Sequence, residues 1–247
     1  MSSERRYVTI LFADVSGYTR LSEFMDPEDV QDLINDLFLR LRVVIEANGG
    51  TVDKFIGDAV MAVFGAPAAH EDDPVRAVRS AIAMLGVIAA FNAERGTTLR
   101  MRLGVNAGEV LWGGVGGDRA TATGDAVNVA QRLESSAEPG SIVVSKSVER
   151  ASAMRVRYRP LGRVQLKGRE EPVEAFEAVS EFSGVTEYRL AGAAPAPFVG
   201  RESEIARLEA AVSFSGPTAA VLIQGEAGVG KSRLLAELRR RLRNREA

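Results

Sequence analysis

Cysteine is absent from the 247 residues, which removes disulfides, thiolate metal sites and cysteine nucleophiles together. Histidine is almost absent. His70 is the single one, so a serine–histidine hydrolase or a multi-histidine metal centre would have to be built around that residue. Neither sign of charge dominates: 31 Lys and Arg stand against 33 Asp and Glu, a net charge of −2. No global basic field therefore argues for nucleic acid or an anionic membrane surface, and we expect neither as a partner. Long apolar runs are missing as well. The most apolar helix candidate, AIAMLGVIAAF at 81–91, falls well short of the ~20 residues a membrane span needs. The opening MSSERRYVTILF turns charged again at Asp14 and lacks the pattern of a signal peptide, so the expected location is cytoplasmic. What is present is ordinary for a globular protein: 46% hydrophobic and 26% charged residues, at a length that buries a core.

RYVTILFAD (6–14) is rich in β-branched and aromatic residues and predicts a buried strand ending at Asp14. Residues 25–50 predict a helix with Asp26 at the cap, Pro27 in the first turn, an apolar stripe through Val30, Ile34, Leu37, Leu41 and Ile45, and a stop at Gly49-Gly50. TVDKFI and AVMAVF predict a tight hairpin turning at Gly57-Asp58. A second helix begins at Asp73-Pro74 and ends at Gly96, and residues 99–117 read as a second hairpin. A short helix within 124–140, a strand at 141–145 and mixed small strands to about residue 180 complete this part.

The order β-α-β-β-α-β is that of a ferredoxin-like split unit, an α+β fold with helices on one face of the sheet. In that arrangement the first strand lies antiparallel beside the third. Asp14 ends the first and Asp58 begins the third, so both carboxylates fall at one end of the sheet. Two crowded carboxylates repel unless a cation lies between them, and hard oxygen ligands suit Mg²⁺ or Mn²⁺. Each is equally accounted for as a turn residue, since Asp is common at strand ends and hairpins. Lys54, inside the same run, raises the matching question of what a charge does in a sheet core.

FADVSGYTRLSE, VDKFIGDAVMAVFG, MRLGVNAGEV and TGDAVNVAQRLE, in that order, resemble the catalytic domain of the class III nucleotidyl cyclases, in the threonine-bearing adenylate cyclase subgroup. The resemblance covers roughly residues 6–180. It implies the nucleotide cyclase fold, ATP as substrate, cyclic AMP and pyrophosphate as products, and a homodimer with two metal ions, Mg²⁺ or Mn²⁺, in each site. Asp14 and Asp58 match the metal-binding aspartates, with the Val15 carbonyl as a further ligand. Gly17, Tyr18 and Thr19 form the turn that holds phosphate oxygens. Lys54 and Thr121 match the base-selecting pair: an ammonium donates to adenine N1 and a threonine oxygen accepts from its amino group, whereas guanine presents a donor where adenine accepts. Asn128 and Arg132 match the transition-state pair. They are four apart on a helix and share a face, which by itself describes a solvated helix surface equally well. Arg102 and Lys167 match phosphate contacts, and exposed strand positions explain them as readily. The chain departs from the family in the segment 116–121, GGDRAT, which is short and has Ala120 where an aromatic residue is common.

Residues 184–197 are Ala- and Pro-rich and read as a linker between a cyclase domain over 1–183 and a fragment over 198–247. In that fragment VLIQ predicts a strand leading into GEAGVGKS (225–232) and a helix, the context of a phosphate-cradling Walker A loop built on Gly225, Gly230, Lys231 and Ser232. With FVGRE upstream it resembles the start of a signal-transduction ATPase of the AAA-like kind. About a dozen residues follow the loop, so we expect a truncated piece of a longer P-loop domain. Two other readings stand beside the enzyme: a catalytically weak cyclase-like regulatory or dimerisation module controlling the P-loop ATPase, and an ATPase with a vestigial cyclase.

Overall fold

The computed structural model describes residues 3–17, 25–114, 120–165, 171–182, 198, 200–212, 221–225 and 229–243. It divides into two compact units, Met1–Ser183 and Gly184–Ala247, described here separately. The expected linker, 184–197, lies outside the described residues.

The first unit runs β1 (Glu4–Ser16), α1 (Pro27–Ala47), β2 (Thr51–Ile56), β3 (Ala59–Phe64), α2 (Asp73–Arg95), β4 (Arg100–Gly114), β5 (Ala120–Thr123), α3 (Asp125–Ser136), β6 (Ile142–Ser145), α4 (Lys146–Ser152), β7 (Val156–Val164) and β8 (Val173–Glu181). Its strands form one sheet in the order β2-β3-β1-β4-β6-β8-β7, with β5 paired to β4. The β4–β6 pair is parallel; the other ladders are antiparallel. The first four strands keep the expected split order, with β1 between β3 and β4.

β1 is covered on both faces, and for that reason its sequence is a continuous apolar run instead of an alternating one. Leu11, Ala13 and Val15 pack with α1 and α2, whereas Val8, Ile10 and Phe12 pack with Ala126 and Ala130 of α3. The two long helices thus share one face and α3 lies on the other, which corrects the expected placement of the helices on one face: Val8, Ile10 and Phe12 form a second apolar surface that needs its own cover. α1 carries its Pro at the first turn and buries Ile34, Leu37, Leu41 and Ile45; full burial of one such side chain is worth about 1.5–3 kcal/mol. Asp26 occupies the N-cap position without a side-chain cap hydrogen bond. α2 is longer than its apolar run suggests. By length and composition it could cross a membrane, yet Ala77, Val78, Ala81, Met84 and Phe91 are buried in the core. It ends at Gly96, whose φ of 66° is left-handed and suits glycine. His70 sits ahead of it, with its ring 3.3 Å from Asp73.

α3 rests directly on β4. A Cβ on Gly104 would overlap the backbone nitrogen of Glu134 and the carbonyl of Ala130, so only glycine admits the helix at this depth. Buried Asn106 pins the first turn of α3 by donating to the Ala126 carbonyl at 2.9 Å.

The second unit pairs α5 (Glu202–Val212) with α6 (Lys231–Arg243) through Ile205, Leu208, Leu234 and Leu238. Residues 221–224, expected as a strand, are not in one. A strand exists only with a hydrogen-bonded neighbour, and none pairs with this segment among the described residues.

Candidate active site

The cross-strand register assembles the first part of the site. Asp14 stands opposite Ala59 on β3 and opposite Arg102 on β4. The Val15 N–H donates to the Asp58 carbonyl at 3.1 Å, which holds the β2–β3 turn against the end of β1. Asp14 and Asp58 are thereby brought to one end of the sheet, as the topology predicts. Arg102 donates to Asp14 Oδ2 at 2.5 Å, and its Nε lies 3.5 Å from Oε1 of Glu134. The hydrogen bond to Asp14 holds the Arg102 guanidinium more firmly in its charged form. Burial pushes the Glu134 carboxyl above the usual carboxylate range, and the charge of Asp14 adds to this while Arg102 opposes it. Glu134 Oε1 is buried without a hydrogen-bond partner.

Asp14 and Glu134 therefore share one guanidinium, with Asp58 at the same end of the sheet. Such a donor set fits a hard cation: Mg²⁺ is commonly held by one or two carboxylates together with substrate phosphates, not by an all-protein cage. Among the described residues no group of three or more His, Cys, Asp or Glu side chains is placed to hold a metal ion.

The second part lies on β2 and β5. The β2–β3 register shifts between Val52 and Lys54, leaving Asp53 as the extra residue of a bulge. Its side chain is fully buried, and Lys54 Nζ lies 3.2 Å from its Oδ2. The Thr121 hydroxyl donates to the same Oδ2 at 2.7 Å, and the Ala122 N–H reaches Oδ1 at 3.4 Å. Lys54 and Thr121, 67 positions apart, thus meet at one carboxylate. Sequence reasoning missed Asp53; its signal was a second charge beside Lys54 that broke the strand's alternation.

The third part is the outer face of α3. Asn128 is exposed and Arg132 half-buried, while Ala126, Val129, Ala130 and Leu133 face the sheet. Glu134 is turned inward to Arg102. At 100° per residue, Arg132 lies about 160° and Asn128 about 120° around the helix from Glu134. A cavity of about 720 Å³ between α1 and the β2–β3 turn has Asp58 in its lining, but none of Lys54, Thr121, Asn128 or Arg132.

Gly17 follows β1 with φ 100°, a value that favours glycine. Tyr18, Thr19 and Lys167 lie outside the described residues. In the second unit Gly230 has φ 91° just before α6, and Lys231 donates to the Gly225 carbonyl at 2.8 Å across the segment. Residues 226–228 and the Ser232 side chain lie outside the described set.

The family model for the adenylate and guanylate cyclase catalytic domain matches residues 1–178, and that for an AAA ATPase domain matches residues 197–247. Adenylate cyclase 1 of Rhizobium meliloti (strain 1021) is 35% identical over 184 residues, 71% of this chain and 28% of that protein. Among solved structures, the adenylyl cyclase CyaB from P. aeruginosa is similar with a TM-score of 0.70 at 33% identity, over 73% of this chain and 97% of that one. The guanylyl cyclase Cya2 is similar with a TM-score of 0.67 at 34% identity, over 77% and 98%. The chain spans only 15–37% of the length of the curated relatives it matches. On these matches and on the sheet that carries Asp14, Asp58 and α3, the chain belongs to the adenylate and guanylate cyclase catalytic-domain family.

Proposed function

We propose that this chain is an adenylate cyclase that forms cyclic AMP and pyrophosphate from ATP in a homodimer with two shared sites. The observation that carries the choice of ATP is the meeting of Lys54 and Thr121 at Asp53. An ammonium and a hydroxyl held side by side offer adenine a donor for N1 and an acceptor for its amino group. Guanine, with a donor at N1 and an acceptor at O6, meets the wrong group at both positions.

In the reaction the ribose 3′-oxygen gives up its proton and bonds to the α-phosphorus, while the bond to the pyrophosphate oxygen breaks. Asp14, Asp58 and the Val15 carbonyl would hold two Mg²⁺ or Mn²⁺ ions, which when bound acidify the 3′-hydroxyl and neutralise the triphosphate. Gly17, with Tyr18 and Thr19, offers backbone N–H groups to phosphate oxygens, and Lys167 adds a cation. Arg102 exchanges Asp14 for a phosphate oxygen. Arg132 meets the charge that develops on the α-phosphate, and Asn128 orients the ribose.

These two groups of residues belong to different sites of the dimer. Glu134 turns in toward Asp14's partner Arg102, so Arg132 and Asn128, far around the same helix, point away from their own chain's aspartates. A second copy is needed to bring an Arg132 to each Asp14.

The test is purified protein incubated with ATP or GTP in the presence of Mg²⁺ or Mn²⁺, with both cyclic nucleotides quantified by chromatography. Cyclic AMP is expected as the main product. Cyclic GMP in excess, or neither nucleotide, would overturn the reading.

A further inference from the structure

We propose that Asp53 is a specificity-positioning residue: it fixes the Thr121 hydroxyl as an acceptor toward the base and so makes the pocket select adenine. This rests on the reading of ATP as substrate and goes beyond it to the device that sets the choice.

A threonine hydroxyl alone is a poor discriminator. It carries one proton and two lone pairs and rotates to suit its neighbour, so it can accept from the amino group of adenine or donate to O6 of guanine. Here that freedom is removed. The hydroxyl proton is committed to Oδ2 of Asp53 at 2.7 Å, and an ionised carboxylate can only accept. What Thr121 has left to show the base is its lone pairs.

The surroundings of Asp53 all point the same way. Its three partners, the Thr121 hydroxyl, the Ala122 N–H and the Lys54 ammonium, are donors. Its side chain is fully buried, so water does not compete for these contacts. The Ala122 N–H belongs to β5, so the same carboxylate ties the strand that carries Thr121 to the strand that carries Lys54. Lys54 uses one direction toward Asp53 and keeps further N–H donors for N1.

The bulge at Asp53 makes this possible. In a regular strand neighbouring residues face opposite sides of the sheet. The register shift between Val52 and Lys54 lets the adjacent Asp53 and Lys54 act on one locus. Asp53 acts through Thr121, Ala122 and Lys54, so its effect should fall on base choice and not on chemistry.

The experiment compares kcat/KM for ATP and for GTP in wild type, Asp53→Asn, Thr121→Val and the double variant. Asparagine keeps the shape but can donate from its amide, which frees the hydroxyl to turn. The ATP/GTP ratio should fall about tenfold in Asp53→Asn, the size of one buried hydrogen bond, and mainly through KM for ATP. In the Thr121→Val background the same change should move the ratio by less than about twofold, because no hydroxyl remains to orient. Should Asp53→Asn fail to fold, Asp53→Ser reads the same ratio. A wild type that prefers GTP overturns the ATP reading and this proposal together. An ATP-preferring wild type whose ratio is unmoved by Asp53→Asn, with both nucleotides losing equally, overturns this proposal alone. A shift that persists in full without the Thr121 hydroxyl does the same.

Discussion

Adding one methyl group at Gly104 should damage both stability and turnover, and the size of each loss follows from what the new atom would meet. A Cβ there would come within 2.7 Å of the Glu134 Cα and closer still to the Glu134 nitrogen and the Ala130 carbonyl. All three are backbone atoms, so no rotamer change relieves the overlap. Carbon contacts are most favourable near 3.5–4.0 Å, so α3 must retreat from β4 by roughly 1 Å. Retreat loosens the packing of Ala126, Ala130 and Leu133, which are now buried against the sheet. Overpacking of this kind costs about 3 kcal/mol, and for a domain of this size each kcal/mol lowers Tm by about 2–4 °C. Gly104→Ala should therefore lower the thermal midpoint, followed by circular dichroism, by about 6–12 °C. The same shift carries Asn128 and Arg132 out of place, and a misplacement of ~1 Å can cost about 100-fold in rate. Turnover measured well below the new midpoint should fall accordingly. A midpoint within a degree or two of wild type, with unchanged turnover, would refute the reasoning about how α3 is seated.

Glu134→Gln tests the crowding at the sheet edge. The Glu134 carboxyl is raised above its ordinary value of 4.5, by burial first and by Asp14 second. Its contribution to stability is thus fully present below that ordinary value and is lost as pH rises through the raised one. In metal-free protein the variant should gain stability over wild type as pH rises to neutrality, and the gain should vanish on acidification; an advantage that shrinks with rising pH would contradict the cause assigned. Lys54→Glu combined with Thr121→Cys should lower ATP use and raise GTP use relative to it, since glutamate accepts where lysine donates. Competition assays with both nucleotides check this, and an unmoved ratio would remove Lys54 from base reading.

Much of this was legible in the residues because burial writes a pattern. The middle of β1, from Val8 to Ala13, is buried on both faces and reads as a mostly apolar run, and the β2–β3 turn is marked by Gly57, whose φ is 62°. Those two readings suffice to bring Asp14 and Asp58 together. The face of the sheet on which α3 lies was not legible, because an amphipathic helix shows that it has a buried side but not which surface covers it. Glu134 faces inward only because Gly104 lets the helix approach, a dependence between residues 30 apart. Asp53 was hidden by the bulge: a period-2 reading separates it from Lys54, and only the register shift reunites them. Arg102 was read as a phosphate contact; its pairing with Asp14 follows from the cross-strand register, which becomes visible once β1 and β4 are aligned. α4 was missed altogether, being a seven-residue helix too short to show a period.

The central claim is that Asp14 of one copy and Arg132 of another build one catalytic site. Asp14→Ala and Arg132→Ala homodimers should each be nearly dead, since loss of one group that stabilises transition-state charge costs on the order of 10²–10³ in turnover. The measurement is cyclic AMP synthesis from ATP after the two variants are mixed and their exchange of subunits is verified by tagged co-purification. With random exchange about half the dimers are mixed, and each mixed dimer holds one site with both defects and one with neither, so activity should recover to roughly a quarter of wild type. Verified exchange with activity still at the level of the separate variants would contradict the account.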